Sequence, residues 1–304
     1  MIISSFSSSD DVEVIDLWNS TLKCDTVDEN NFYKRVICDE NFNPELFLLA
    51  KEDEQLLGFI YGIAVSGQEK AWISTMAVHS DKQRRGIGNA LLRCLEEKFL
   101  KHGVKQITLG ANPDNFFFPG VDMNAYDSGV KFFTSGGYSE FGTCVSMDMS
   151  LRDYQVKSRY LEKKSNLEAN GYTFKFFSWQ DSIALFDFMN EHFPHWLSVA
   201  RTCLSQNQPK NTLIIAKNPK QEVVGFVLRG IDGTSERFGP FGVSPTEQGT
   251  GVGGVLFHEM MQSMVKNRIF YTYFLWTGGR NIDIYGKWGM KVYREYFMMK
   301  KELN

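Results

Sequence analysis

Two short segments of this 304-residue chain carry the residue types that hold phosphate. One is Gln83-Arg84-Arg85-Gly86-Ile87-Gly88 and the other is Gln248-Gly249-Thr250-Gly251-Val252-Gly253. Each follows an apolar run and precedes apolar residues spaced three and four apart, so each reads as a loop that opens a helix. The first N–H groups of a helix lack intrahelical partners, that end is electropositive, and glycine lets a ligand approach the backbone. A Walker loop needs Lys-Ser or Lys-Thr after its last glycine, and neither segment has it. Gly249, Gly251 and Gly254 spell G-x-G-x-x-G, but residues 244–248 separate them from the strand. The next strand, FYTYFLW, also ends without the acidic residue that a dinucleotide site requires.

The elements that must position these loops occur twice. Phe6-Ser7-Ser8-Ser9-Asp10 and Phe177-Ser178-Trp179-Gln180-Asp181 each read as a strand end and a capped helix start, 171 residues apart. LFLLAKEDEQLLGFIYG (46–62) and LIIAKNPKQEVVGFVLRG (213–230) each read as a hairpin, with Gly58 answering Gly225. Met76-Ala77-Val78 and Phe241-Gly242-Val243 are strand ends, and Gln83 and Gln248 each follow five positions after the valine. Helices over 89–100 and 254–265, strands over 106–110 and 270–276, and closing segments FFTSGGY and IYGKWGM complete the match. Blocks in one order argue for one α/β fold with a mixed sheet, written twice. The expected domains are 1–150 and 172–304, joined by a helical, solvated connector over 151–171 that stops at Gly171.

A strand ending in valine followed by Gln-x-x-Gly-x-Gly at a helix start resembles the acetyl-CoA-binding motif of the GNAT superfamily of N-acetyltransferases. The resemblance covers both halves and implies tandem GNAT domains. It implies that the amides of Gln83, Arg84, Arg85, Gly86, Ile87 and Gly88 hold the pyrophosphate of coenzyme A, as do those of Gln248, Gly249, Thr250, Gly251, Val252 and Gly253. Main-chain groups of Met76, Ala77 and Val78, or of Phe241, Gly242 and Val243, would pair with the pantetheine arm and polarise the thioester carbonyl. Arg84 and Arg85 add charge to the first loop or are simply a solvated pair, whereas the second loop relies on backbone alone.

Transfer of an acetyl group to an amine also requires proton movement. The family's tyrosine donor corresponds to Tyr285 in the second copy and to Phe133 in the first, with Tyr126 about two helical turns earlier. Tyr285 is therefore the expected acid unless it is an aromatic core residue, and Glu236 the expected base unless it is merely solvated. The expected activity is acetyl-CoA-dependent N-acetylation of a primary amine on a small molecule or peptide. The alternative is a non-catalytic acyl-CoA-binding or sensor protein. The loop over 112–122, with Phe116, Phe117, Phe118, Pro119, Gly120, Val121 and Asp122, has no counterpart in the second copy. It either packs against the other domain or walls an acceptor pocket, and it resembles loops of some tandem GNAT proteins. His192 and His195 flank Pro194 without a third ligand nearby, so no metal is expected and aromatic packing or substrate contact is.

Composition excludes several other classes. Hydrophobic residues make up 43% and charged residues 23%, which is a globular balance. With 33 basic and 36 acidic residues the net charge is −3, against a nucleic-acid binder. No apolar run is long enough for a membrane span. Five scattered cysteines read as reduced thiols of a cytoplasmic protein.

Overall fold

The computed structural model describes residues 1–113, 116–206, 211–231 and 233–303. It divides into two compact units, Met1–Val145 with Arg294–Asn304, and Ser146–Tyr293. In the first, β1 (Ile2–Ser5) leads to α1 (Asp11–Thr21), α2 (Glu29–Phe32) and the antiparallel strands β2 (Phe47–Glu52), β3 (Gln55–Ala64) and β4 (Lys70–Val78). Then come α3 (Ile87–Lys101), β5 (Gln106–Leu109), the two-residue β6 (Val121–Asp122), α4 (Asp127–Ser135) and β7 (Ser139–Ser150). The second runs through α5 (Ser158–Ala169), β8 (Thr173–Phe176), α6 (Ser182–His192), α7 (Pro194–Gln206), β9 (Leu213–Lys217) and β10 (Val223–Arg229). It continues with β11 (Phe238–Val243), α8 (Val252–Lys266), β12 (Tyr271–Thr277) and α9 (Arg280–Trp288), and β13 (Lys291–Glu302) ends the chain.

β2 is apolar without alternation because helices cover both of its faces. Phe47 and Leu49 pack with Trp18, Phe32 and Val36, while Leu48 and Ala50 pack with Leu91, Leu95 and Phe99 of α3. The second unit builds an equivalent core from Leu185, Phe188, Leu213, Ile215 and Phe226. The two helix starts use one device. Ser7 donates from N and Oγ to Asp10 Oδ2 (2.7 and 2.9 Å), and Lys51 donates to Oδ1 (2.7 Å). Ser178 Oγ donates to Asp181 Oδ2 (2.7 Å), and Lys217 and Lys175 lie at 2.7 and 2.9 Å from the same carboxylate.

The sequence repeat carries the second copy to its last residue, but Arg294 onward belongs with the first unit. There Lys300 lies opposite Thr108 of β5, and Tyr296 opposite Asp122 of β6, in antiparallel register. The sheet order is β1-β2-β3-β4-β5-β13-β7. β13 covers what would be an open edge of β5 and buries Tyr296 and Met299. In the second unit β8 to β11 form a four-stranded sheet, and the end of β7 joins β12, with Ser146 Oγ donating to the Leu275 carbonyl at 2.7 Å. The connector helix begins only at Ser158, with Leu151 buried ahead of it, and Gly171 (φ 87°) follows its end. Its Leu167 is buried too, so the helix is not solvated all round.

Candidate functional site

In the first unit β4 and β5 run parallel from Lys70 opposite Gln106 to Ile73 opposite Leu109, and then part. β5 stops, while β4 continues beside β3 through Met76, Ala77 and Val78. The β3–β4 register slips at Ser74, an extra residue between the Ile73 and Thr75 pairs. A cleft of about 800 Å³ opens along this edge, lined by residues 73–78, the loop residues Gln83, Arg84, Gly86, Ile87 and Gly88, and Phe132 and Phe133 of α4. The Ser74 and Thr75 hydroxyls are buried in its wall without a hydrogen-bond partner among the described residues. Such groups cost about 1–3 kcal/mol each until something pairs with them. At the cleft's far end Gly86 adopts φ 83° as the N-cap of α3, and a Cβ built there would meet nothing within 4 Å. Gln83 Nε2 donates to the Val78 carbonyl at 3.1 Å and ties the loop to the strand end. Gly86 therefore has open space beside it, and its loop lines the cleft.

The second unit has the same backbone device with different cover. Gly251 (φ 102°) is the N-cap of α8, and a cleft of about 960 Å³ is lined by Phe241, Gly242, Val243, Gln248, Gly249, Gly251 and Gly253. A Cβ on Gly251 would lie 2.9 Å from Lys163 Cγ, and one on Gly254 would lie 3.1 Å from Tyr160 Cε1. A Cβ on Gly242 would lie 2.6 Å from Phe193 Cζ, whose ring stacks on Trp196 at 5.3 Å. Connector side chains thus lie beside Gly251 and Gly254 and an aromatic ring beside Gly242, while a Cβ on Gly249 would meet nothing within 4 Å. Where sequence expects backbone alone, Arg159, Lys163 and Arg280 also line this cleft.

Of the two expected proton carriers, Glu236 is not among the residues that line the second cleft. Tyr285 lines the second cleft, but its ring sits among Phe238, Phe241, Phe257, Phe274 (4.7 Å between centroids) and Trp288. Burial there raises its pKa above the ordinary phenol value. Glu236 lies before the start of β11, at the opposite end of that strand from the loop, and accepts from Ser235 Oγ at 2.8 Å. In the first unit Phe133 is buried and Tyr126 lines the cleft. Tyr126 Oη donates to Asp25 Oδ2 at 2.6 Å, and Arg294 of β13 grips the same carboxylate. Phe117 and Phe118 pack on Trp18 (5.0 and 6.4 Å) inside the first unit, and Phe118 also lines the cleft. Asp114 and Asn115 of that loop lie outside the described residues.

Comparison with known proteins now bears on this geometry. The acetyltransferase (GNAT) family model matches residues 14–117, within the first unit. An acetyltransferase of Sodalis glossinidius is 34% identical over 116 residues, which is 38% of this chain and 78% of that protein. The chain belongs to the GNAT family of N-acetyltransferases. Its whole length has the tandem GNAT fold. A tandem GNAT protein from the clavulanic acid biosynthesis pathway is 13% identical with a TM-score of 0.67, covering 99% of this chain and 98% of that one. The GCN5-related glucosamine N-acetyltransferase region of a fungal multi-domain GH3 β-N-acetylglucosaminidase is 19% identical with a TM-score of 0.84. That match covers 98% of this chain and 38% of the fungal protein. Within this GNAT chain, sequence reading missed Ser74, Thr75, Asp25 and Arg294. A buried hydroxyl gives no periodic signal, and Asp25 and Arg294 are 269 residues apart.

Proposed function

We propose that the first unit is the working acetyltransferase, taking acetyl-CoA along β4 and an amine from the opposite end of the same cleft. The observation that carries this reading is the open Gly86 loop continuous with the parted edge of β4, where Ser74 and Thr75 are buried and unpaired. The residues fit the cofactor: amides at the start of α3, with Arg84 beside them, suit a pyrophosphate, and the bare edge of β4 suits an amide-bearing arm. Bound acetyl-CoA supplies the activated acetyl thioester. Main-chain N–H groups of residues 76–78 offer the donors that stabilise charge on its carbonyl oxygen. Phe132, Phe133 and Phe118 wall part of the cleft. Phe133 has no proton to give, so solvent reaching the cleft protonates the leaving thiolate. In the second unit Lys163, Tyr160 and Phe193 crowd Gly251, Gly254 and Gly242, which supports a non-catalytic role for it.

Titration calorimetry with acetyl-CoA tests this directly, with one site per chain expected. Gly86→Val forces a β-branched residue into a left-handed backbone and should remove binding, whereas Gly251→Ala should leave it intact. Two sites, or binding lost only with Gly251→Ala, would overturn the assignment. Release of free coenzyme A is then followed across primary amines. The fold shared with a glucosamine N-acetyltransferase region puts glucosamine first, beside spermidine and a peptide N-terminus.

A further inference from the structure

We infer that Tyr126, fixed by Asp25 and Arg294, receives the acceptor as a protonated amine, and that Arg294 of the last strand is a positioning residue for the first unit's site. The inference rests on the first unit being the working one and names how that site recognises its acceptor. Arg294 donates from Nη2 to Asp25 Oδ2 (2.8 Å), from Nη1 to Asp25 Oδ1, and from Nε to Asp122 Oδ2 (2.5 Å). Asp122 Oδ1 accepts from the amides of Asn124 and Ala125 (2.8 and 2.7 Å), which fixes the turn leading to Tyr126. The Asp25 carbonyl accepts from Trp18 Nε1 at 2.7 Å, so the carboxylate is anchored to the core as well. The Asp25 and Arg294 side chains are 16% exposed and that of Asp122 is 3% exposed.

Two consequences follow for whatever enters the cleft. The Tyr126 proton is committed to Asp25, leaving only oxygen lone pairs to face the cleft, so this hydroxyl accepts and does not donate there. It therefore suits an N–H donor. The cluster also holds two carboxylates against one guanidinium, a surplus negative charge in a half-buried setting where screening is weak. Cys24 also acts on Tyr126. Of the cations that line the cleft, Lys23, Arg84 and Lys131 are exposed, their charge reduced by solvent, with Lys131 paired to Asp127 at 2.6 Å. Lys82 lies in the turn after β4. A small ammonium satisfies both conditions. It would bind in that form, release one N–H proton to solvent to become the nucleophile, and lose a second as the C–N bond forms and the C–S bond breaks, one of the two returning to the departing thiolate. A neutral hydroxyl in its place would leave the surplus charge uncompensated.

Steady-state kinetics and calorimetry separate this role from a merely structural one. Glucosamine, spermidine and a peptide N-terminus are the probes, and binding is also measured with coenzyme A present in place of acetyl-CoA. Tyr126→Phe removes one hydroxyl and should raise the KM and Kd of the best amine about tenfold to a hundredfold, with kcat and acetyl-CoA affinity little changed. Asp25→Asn keeps an acceptor for Tyr126 and Arg294 but cancels the surplus charge, and should weaken amine binding about tenfold and flatten its salt dependence. Arg294→Met leaves both carboxylates without their cation and Tyr126 less firmly placed, so it should raise the amine KM while making the salt dependence steeper, with Arg294→Lys restoring part of the loss. A fall in kcat with unchanged KM in Tyr126→Phe would make Tyr126 the proton donor and overturn the inference. Full activity and amine affinity in Asp25→Asn would overturn it too. If no amine binds or is acetylated by the wild-type protein, the acetyltransfer reading fails along with it, whereas turnover indifferent to these variants defeats this inference alone.

Discussion

Asp181 and His258 show at the residue scale how burial sets charge in this molecule. Burial alone would raise the Asp181 carboxyl, but hydrogen bonds from Lys217, Ser178 and Lys175 outweigh it and hold its pKa below the usual carboxylate range. A carboxyl depressed in the folded state contributes stability above its unfolded pKa, about 3.9, and that stability is lost as pH falls below it. Asp181→Asn is therefore expected to lower Tm near neutrality and to show a smaller further loss on acidification, read by circular dichroism from neutral to acid pH. His258 behaves oppositely to an ordinary surface histidine. Its Nδ1 shares a hydrogen bond with the Tyr154 hydroxyl, and Nε2 is buried without a partner among the described residues. Burial, with Arg159 and Lys157 nearby, pushes its pKa down from 6.5 to about 4. The unfolded imidazole takes up its proton at higher pH than the folded one, so stability falls as pH drops through that window and is unaffected above it. The loss should reach roughly 3 kcal/mol at the acid end. A His258→Phe variant should lose that slope, and an unchanged slope would place the titration elsewhere.

Elements decide which chemistry each copy keeps. α5 follows its expected helical composition, yet its place across the α8 start turns an ordinary connector into a cover for Gly251 and Gly254. Replacing Lys163 and Tyr160 together by alanine should expose the loop but leave acetyl-CoA stoichiometry at one, because the Phe193 ring still lies against Gly242. Calorimetry on that double variant checks it, and a second site appearing would show the connector alone to be the block. β13 has the opposite effect on the first unit. Ending the chain after Tyr293 would strip Tyr296 and Met299 from the core, leave the β5 edge unpaired and remove Arg294 from Asp25. The expected result is loss of cooperative unfolding in the first unit, seen as loss of slow amide exchange in β4 and β5.

At the scale of the whole molecule, the proposed division of labour gives the first copy the cofactor and leaves the second without it. Saturating acetyl-CoA, at about 100 times Kd, should stabilise the unit that binds it by about 2.7 kcal/mol. Hydrogen exchange should report that protection along β4, the 83–88 loop and the start of α3, with residues 243–253 unchanged. Equal protection of both loops would mean two live sites. Much of this molecule is legible in its sequence because the signals are local. Paired glycine loops, the capped starts at Asp10 and Asp181, hairpins around Gly58 and Gly225, and the helical spacing of Leu91, Leu92, Leu95 and Phe99 all lie within one or two elements. Together they determined one α/β fold written twice, with a glycine-rich loop at a helix start in both copies. Tertiary structure alone decided which loop stays open, since Lys163 and Phe193 reach theirs from other elements. It also decided that the final strand serves the first unit, and that Arg294 meets a carboxylate 269 residues away. Such pairings are set by which buried charges and strand edges find partners once the whole chain is packed, and no local periodicity encodes them.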